Sequence, residues 1–330
     1  MTIEREQSAG VAAVYRLLRL DPPTLTRLDI ERRTSVPHER TLRWWRAMGL
    51  PEMPAHEVAF RDEDVEMVRR LDELLGEDVV DEGEVLRLAR LMGASFSRLV
   101  EAQLEVIDEL FTSPDPDGPL HPRRIDERAL AAAADTDIVE TLESTLLYVW
   151  RRHLLAAIGH RLTIEEEHTE QAVGFADLSG FTRVSKKASS LEIAHIIETF
   201  EGVAFDVVSS HRGRIVKLIG DEVMFVTLDL DAAVSIGLDL INRLEPLPNM
   251  PGVHAGIAYG PTVTVGGDVF GPTVNLASRL TDVARRNTVA VPRALADRLE
   301  ERGDVDMRRI RRSYDLKGVG RTEIMAIRPR

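Results

Sequence analysis

Apolar residues recur every three or four positions through most of the first half of this sequence of 330 residues. The longest runs are VEMVRRLDELL at 65–75 and VLRLARLMGASFSRLVEAQLEVIDELF at 85–111. This spacing is typical of amphipathic helices. A segment rich in Pro, Asp and Gly at 112–124 interrupts it, and a helical pattern returns over 126 to about 165. The pattern predicts an all-helical domain over residues 1–168.

The second half has a different pattern, in which short apolar runs alternate with helical segments. The apolar runs are AVGFADL, GRIVKLIG, EVMFVTL, GVHAGIAYG and TVAVP. Runs of this length predict strands. Strands that alternate with helices predict a sheet domain of the α/β or α+β class. We therefore expect a second domain over residues 169–330.

The formal net charge of −13 and the absence of cysteine narrow the classes of function. An acidic chain argues against nucleic acid as the main partner, because binding to phosphates needs a basic surface. Disulfides and thiolate metal sites are excluded. No segment has the roughly 20 apolar residues that span a bilayer, and the N-terminus does not have the pattern of a signal peptide. We expect a soluble, cytoplasmic protein without a membrane partner.

Two aspartates stand where strands are predicted to end. Asp177 follows an apolar run and precedes Ser179 and Gly180, where a strand would lead into a helix. Asp221 lies in GDE between two apolar runs that predict a hairpin. Carboxylates that meet across neighbouring strands would suit Mg²⁺ or Mn²⁺. Taken singly, each aspartate is also what a helix cap or a turn prefers, so both interpretations stay open.

Lys217 and Asp268 have the chemistry to recognise a nucleobase. Adenine presents an acceptor at N1 and a donor amino group at N6, whereas guanine reverses this edge. An ammonium and a carboxylate would therefore favour ATP. Lys217 could equally be a solvated strand residue, and Asp268 an ordinary turn residue after two glycines.

Asn275 and Arg279 stand four positions apart in a helical pattern, so they share one face. An amide beside a guanidinium suits the charge that develops on phosphorus during phosphoryl transfer. Exposed Asn and Arg residues are also common on helices, and alone these two would be assigned to the surface.

Taken together, the motifs FADLSGFT, KxxGDE and GDxxGxxVNxASR resemble the catalytic domain of class III adenylate cyclases over roughly residues 170–328. The resemblance implies a ferredoxin-like βαββαβ core, of the α+β class. It implies that Asp177 and Asp221 bind two Mg²⁺ or Mn²⁺ ions and that Lys217 and Asp268 read adenine. It also implies that Asn275 orients the ribose and Arg279 stabilises the transition state. Four further residues would contact the triphosphate: Lys317 in YDLKGVG, and Gly180, Phe181 and Thr182 through their backbones.

The same resemblance implies a reaction and an assembly. ATP would be converted to 3′,5′-cyclic AMP and pyrophosphate in a homodimer, with the metal carboxylates from one chain and the other groups from its partner. Only Gly266 and Gly267 separate the run TVTV from Asp268, which resembles a bacterial subgroup with a shortened arm. One phosphate contact is then unassigned. The segment GGDVF at 266–270 also resembles the GGDEF signature of diguanylate cyclases, but the KxxGDE hairpin and the following Asn and Arg belong to the adenylate cyclase pattern.

The helical half permits two interpretations. Residues 24–52 have the rhythm of a MerR-type winged-helix DNA reader, which would make the protein a nucleotide-sensing module coupled to DNA binding. However, residues 51–85 contain thirteen acidic residues and three arginines, a poor surface for DNA. The half also resembles the helical regulatory domain of actinobacterial cyclases, which restrains the catalytic dimer and in some members responds to pH. We favour regulation, with His153, His160 and His168 as candidate pH-sensitive groups.

Overall fold

The protein is described by a computed structural model that covers residues 11–76, 80–111, 133–162, 170–299, 303, 305–316 and 320–330. The chain divides into two compact units, Met1–Gly159 and His160–Arg330. None of the helices in the described residues has the length and apolar character that a bilayer crossing requires.

The N-terminal unit is helical apart from one small sheet. Its helices are α1 (11–17), α2 (Arg27–Thr34), α3 (His38–Ala47), α4 (Asp62–Gly76), α5 (Glu82–Phe111) and α6 (Ile138–Leu162). Strands β1 (Leu25–Thr26) and β2 (Val58–Phe60) pair antiparallel. This sheet corrects the prediction of an all-helical domain. Strands of two and three residues are too short to show an alternating pattern in the sequence.

Local sequence explains how this unit is organised. Helix α2 begins with a capping box, in which the side chains of Thr26 and Asp29 each bond the backbone N–H of the other residue. Trp44, which is 1% exposed, lies in a core formed by α2, α3, α4 and the small sheet. Helix α6 differs, because many of its apolar side chains are exposed, including Trp150 and Leu155.

The C-terminal unit is built on a seven-stranded sheet with the order β10-β11-β9-β6-β3-β5-β4. Its strands are β3 (Glu170–Leu178), β4 (Arg214–Ile219), β5 (Glu222–Thr227), β6 (Val253–Pro261), β9 (Thr288–Pro292), β10 (Val305–Leu316) and β11 (Gly320–Pro329). A separate hairpin, the arm, consists of β7 (Val263–Val265) and β8 (Asp268–Phe270). The helices are α7 (Phe181–Ser185), α8 (Ser190–Ser210), α9 (Leu230–Leu244), α10 (Pro272–Val283) and α11 (Arg293–Arg298).

The first four strands and two long helices of this unit follow the order β3-α8-β4-β5-α9-β6. In the sheet these strands lie in the order fourth, first, third, second, and every neighbouring pair among them is antiparallel. This is the predicted ferredoxin-like βαββαβ core.

The two faces of the sheet are covered by different helices. Residues of α8 and α9 pack in one apolar core, and residues of α10 and the arm pack in another. Helix α10 lies very close to β6, since a Cβ atom on Gly256 would lie 2.2 Å from the backbone N of Thr281. A glycine at 256 thus permits the approach that places α10 beside the sheet edge.

Candidate active site

The carboxylate pair, Asp177 and Asp221, forms where β3 meets the β4–β5 hairpin. Asp177 is the penultimate residue of β3, and Asp221 follows Gly220 in the two-residue turn of the hairpin. Gly220 has a φ of +63°, a conformation that favours glycine. The backbone N–H of Leu178 donates to the carbonyl of Asp221 at 3.2 Å. This bond fixes the turn against the end of β3 and brings the charge of Asp221 close to the Asp177 carboxyl.

The electrostatics of this pair fit a cation site. Burial raises the pKa of Asp177 to about 7, and the charges of Asp221 and Glu222 and the hydrogen bond to Asp221 contribute further. Within the described residues no group of three His, Cys, Asp or Glu side chains could hold a metal ion. Magnesium commonly uses one or two carboxylates together with waters and substrate phosphates. Two crowded carboxylates therefore suit an ion that takes its remaining ligands from outside the protein.

The turn after β3 presents free backbone donors. Gly180 adopts a φ of +74° and caps α7, and its carbonyl accepts from the N–H groups of Arg183 and Val184. In the described part of the chain, the N–H groups of Gly180, Phe181 and Thr182 have no acceptor. Free N–H groups at such a turn are suited to bind phosphate oxygens.

Lys217 and Asp268 form an ion pair between β4 and the arm. The Lys217 Nζ lies 2.7 Å from Asp268 Oδ2, and the Val269 N–H donates to Asp268 Oδ1 at 2.8 Å. Although burial opposes it, the hydrogen bonds from Lys217 and Val269 and the charge of Lys217 lower the pKa of Asp268. The pair thus offers a charged donor beside a charged acceptor, although the two residues are far apart in the chain.

Asn275 and Arg279 both lie on α10, four positions apart as expected for one helix face, and both are exposed. The Arg279 Nη1 donates to Asp282 Oδ2 at 2.9 Å. In the described residues no hydrogen bond or ion pair joins either side chain to the carboxylate pair or to the Lys217–Asp268 pair. Lys317 lies outside the described residues.

Residues 164–328 match the family described as "Adenylate and Guanylate cyclase catalytic domain". An adenylate cyclase of Streptomyces coelicolor is 35% identical over 278 residues, which are 83% of this chain and 71% of that protein. The chain belongs to the adenylate and guanylate cyclase family. The resemblance to class III adenylate cyclases is thereby confirmed.

A second adenylate cyclase and one solved structure each match about half of this chain. A pH-sensitive adenylate cyclase of Mycobacterium tuberculosis is 35% identical over 168 residues, which are 45% of this chain and 42% of that protein. The solved catalytic core of a rhodopsin-guanylyl cyclase in complex with ATPalphaS is 21% identical. It aligns over 50% of this chain and 98% of its own, with a TM-score of 0.45.

The structure adds two residues beside the cyclase carboxylates that the sequence did not indicate. His254 on β6 is the strand partner of Asp177, with Nε2 3.4 Å from Asp177 Oδ2 and Nδ1 2.9 Å from Ser179 Oγ. Burial lowers the pKa of His254, although the charge of Asp221 opposes this. Glu222 is the partner of Asp177 on β5, and burial raises the pKa of its carboxyl. The register between strands identifies His254, whereas Glu222 directly follows Asp221 in the sequence GDE.

Proposed function

We propose that this chain is an adenylate cyclase that converts ATP to 3′,5′-cyclic AMP and pyrophosphate. Membership of the family supports nucleotide cyclase activity. The relatives named as adenylate cyclases support ATP as the substrate. The observation that carries the choice of base is the Lys217–Asp268 ion pair. The ammonium can donate to adenine N1 and the carboxylate can accept from the N6 amino group. Guanine would place its N1–H against the ammonium.

The carboxylate pair and the turn after β3 supply the phosphate half of the proposed site. Asp177 and Asp221 would hold two Mg²⁺ or Mn²⁺ ions, which lower the pKa of the ribose 3′-hydroxyl and offset the phosphate charge when bound. The N–H groups of Gly180, Phe181 and Thr182 donate to phosphate oxygens. The 3′-hydroxyl releases its proton to solvent water, and its oxygen attacks the α-phosphorus in line as the bond to the pyrophosphate leaving group breaks.

Helix α10 supplies the remaining proposed contacts. Asn275 orients the ribose, and Arg279 stabilises the negative charge on the α-phosphate in the transition state. Arg279 is free to do so because its partner Asp282 is an exposed residue on the same helix, and an exposed ion pair is weak. Lys317 is assigned to the triphosphate on its motif alone.

The proposed site is divided between two chains of a homodimer. In one chain no described hydrogen bond joins the carboxylate pair, the Lys217–Asp268 pair and the exposed Asn275–Arg279 face. A head-to-tail dimer would complete two equivalent sites, each with carboxylates from one chain and the other groups from its partner.

The assay for this function uses purified full-length protein with Mn²⁺ and ATP or GTP, with separation of the cyclic products. We expect cyclic AMP and pyrophosphate from ATP and little turnover of GTP. Replacing Lys217 with Glu presents an acceptor to the base, so the ratio of kcat/KM for ATP to that for GTP should fall at least about tenfold. A wild-type protein that forms no cyclic AMP, or that makes a cyclic dinucleotide from GTP, refutes the assignment.

The N-terminal unit is proposed to regulate this activity, with DNA binding as the less favoured alternative. The arginines of α3, which a DNA reader would turn to phosphates, are ion-paired within the unit. The pairs are Arg40–Asp72 (2.7 Å), Arg43–Glu82 (3.1 Å) and Arg46–Glu52 (2.6 Å). The acidic partners place negative charge on the same face, which opposes the approach of DNA phosphates. Helix α6, with its exposed apolar side chains, directly precedes the catalytic half in the chain.

A further inference from the structure

Strand β4 contains a bulge that places two basic residues on one face of the sheet. Arg214 pairs with Val226 and Ile215 with Phe225, but the next partner, Met224, pairs with Lys217. One residue of β4 is therefore extra at this point. In a regular strand, residues 214 and 217 would point to opposite faces, because side chains alternate. With the bulge, Arg214 and Lys217 both lie opposite the residues of β5 whose side chains belong to the core beneath α10.

Both of these side chains contact the arm at consecutive residues. Lys217 binds the carboxylate of Asp268, and the Arg214 Nη1 donates to the carbonyl oxygen of Gly267 at 3.2 Å. The positive charge of Arg214 also lies close enough to Asp268 to help hold its carboxyl ionised. The guanidinium thus fixes the peptide that carries Asp268, while the ammonium fixes its side chain.

The arm has few other restraints near this point. Its turn consists of Gly266 and Gly267, both with positive φ, which is the conformation of a tight two-residue hairpin. Val263 and Val265 on β7 are 57% and 61% exposed. On β8, Val269 is buried and anchors the base of the strand. A glycine turn has little intrinsic rigidity, so the direction of the Asp268 carboxylate depends on the contact that holds Gly267 as well as on the bonds from Lys217 and the Val269 N–H.

We infer that Arg214 is a positioning residue for base selection, which holds the Gly267–Asp268 peptide so that the carboxylate of Asp268 faces the base edge beside Lys217. This inference rests on the proposed function, since it concerns how the proposed adenine-reading pair is oriented. Arg214 itself does not touch the nucleotide. Its loss leaves Asp268 ionised and paired with Lys217, but lets the peptide of the arm rotate.

The test compares steady-state kinetics of full-length wild-type protein with the variants Arg214→Met and Arg214→Lys, using ATP and GTP. We expect Arg214→Met to raise KM for ATP several-fold and to lower the ATP-to-GTP ratio of kcat/KM by roughly tenfold. The value of kcat for ATP should change by less than about threefold, because the metal carboxylates and Arg279 are untouched. Arg214→Lys keeps a donor and a charge, and should recover part of the ratio.

Arg308→Met is the matched control. Arg308 is an exposed arginine on β10, the strand at the opposite edge of the same sheet, and its described ion pair is with Asp306 on its own strand. This variant should keep the wild-type ATP-to-GTP ratio of kcat/KM. The inference is overturned if Arg214→Met keeps the ATP-to-GTP ratio within twofold of wild type, or if Arg308→Met lowers it equally. An inactive wild-type protein would instead refute the proposed function.

Discussion

Asp177 and Asp221 repel each other when both are ionised, so the carboxylate pair should cost stability without a cation. The pKa of Asp177 is raised to about 7 in the folded protein, so the fold favours the protonated carboxyl. This stabilisation is complete below the unfolded pKa near 3.8. That contribution is lost as pH rises through about 7. We therefore expect Asp177→Asn to stabilise the metal-free protein at pH 8 by about 1–3 kcal/mol, and to abolish cyclase activity.

Thermal unfolding in EDTA at pH 5 and pH 8 measures this effect. Wild type should lose stability between these values and regain it when Mg²⁺ or Mn²⁺ is added, whereas Asp177→Asn should respond much less to either change. Asp206→Asn removes an exposed carboxylate from α8 and is the control. Equal melting temperatures for wild type and Asp177→Asn in EDTA at pH 8 would show that the pair is not strained.

The sequence predicted individual site residues where a motif fixes both residue type and spacing. Asp177, Asp221, Lys217 and Asp268 stand in such motifs, and the structure places the first two in contact and the last two in contact. Other neighbours depend on strand register. His254 meets Asp177 only because β6 pairs with β3 at that position. Arg214 turns toward the arm only because of a bulge, and nothing in the run GRIVKLIG marks an extra residue.

At the level of elements, the position of α10 depends on a glycine in β6. A methyl group on Gly256 would meet two backbone atoms of α10, the N of Thr281 at 2.2 Å and the O of Ala277 at 2.5 Å. The helix would have to move outward. We expect Gly256→Ala to destabilise the protein by about 1–3 kcal/mol. It should also lower kcat by at least roughly tenfold, because α10 carries Asn275 and Arg279.

Gly202→Ala provides a matched control for this substitution. Gly202 is exposed within α8, and a Cβ atom there would have no neighbour within 4 Å. Alanine should stabilise this helix by about 0.5–1 kcal/mol and leave kcat unchanged. Denaturant unfolding measures the stability of both variants, and cyclic AMP assays measure their kcat. A Gly256→Ala protein as stable and active as wild type would mean that α10 is not held by this contact.

Element order was predictable because strand and helix periods differ, and the alternation of apolar runs with helical segments predicted a sheet domain of the α/β or α+β class. The ferredoxin-like βαββαβ core was implied by the family resemblance. The small sheet of the N-terminal unit was not predictable, because the strands Leu25–Thr26 and Val58–Phe60 are too short to show a period. Sheet order was available only through the family resemblance. Pairing between distant strands such as β3 and β6 depends on the whole fold, which no local pattern encodes.

At the level of the whole molecule, regulation predicts a difference between the full chain and its catalytic half. We expect a protein of residues 170–330 to form cyclic AMP faster than full-length protein at neutral pH, with the difference narrowing toward pH 5.5. His153 is exposed on α6, while His168 and the side chain of His160 lie outside the described residues. Replacing all three with Gln should flatten the pH response, because neutral amides cannot gain the charge that acidification gives histidine.

Two results would count against this scheme. A catalytic half that is no more active than full-length protein at any pH between 5.5 and 8 rules out autoinhibition by residues 1–169. An unchanged pH profile in the triple variant rules out these histidines while leaving autoinhibition in place. Assays at matched subunit concentration are needed, because dissociation of a dimer would also lower activity.

The divided site predicts complementation between inactive chains. Asp177→Ala damages only the carboxylate half, and Arg279→Ala only the other half. In a heterodimer of the two, one site receives both lesions and the other receives none. Each variant alone should be nearly inactive. Co-expressed in equal amounts, they should recover about a quarter of wild-type activity, since half of the dimers are mixed and each has one intact site.

A second pair of variants makes this result specific. Asp177→Ala and Asp221→Ala both damage the carboxylate half, so each site of their heterodimer contains one lesion and no activity should return. If the first pair stays inactive although mixed dimers are isolated by differential tags, the site lies within one chain. If both pairs recover activity, the lesions are not confined to separate halves. Only recovery by the first pair alone is compatible with carboxylates from one chain acting on a nucleotide whose base is read by the other.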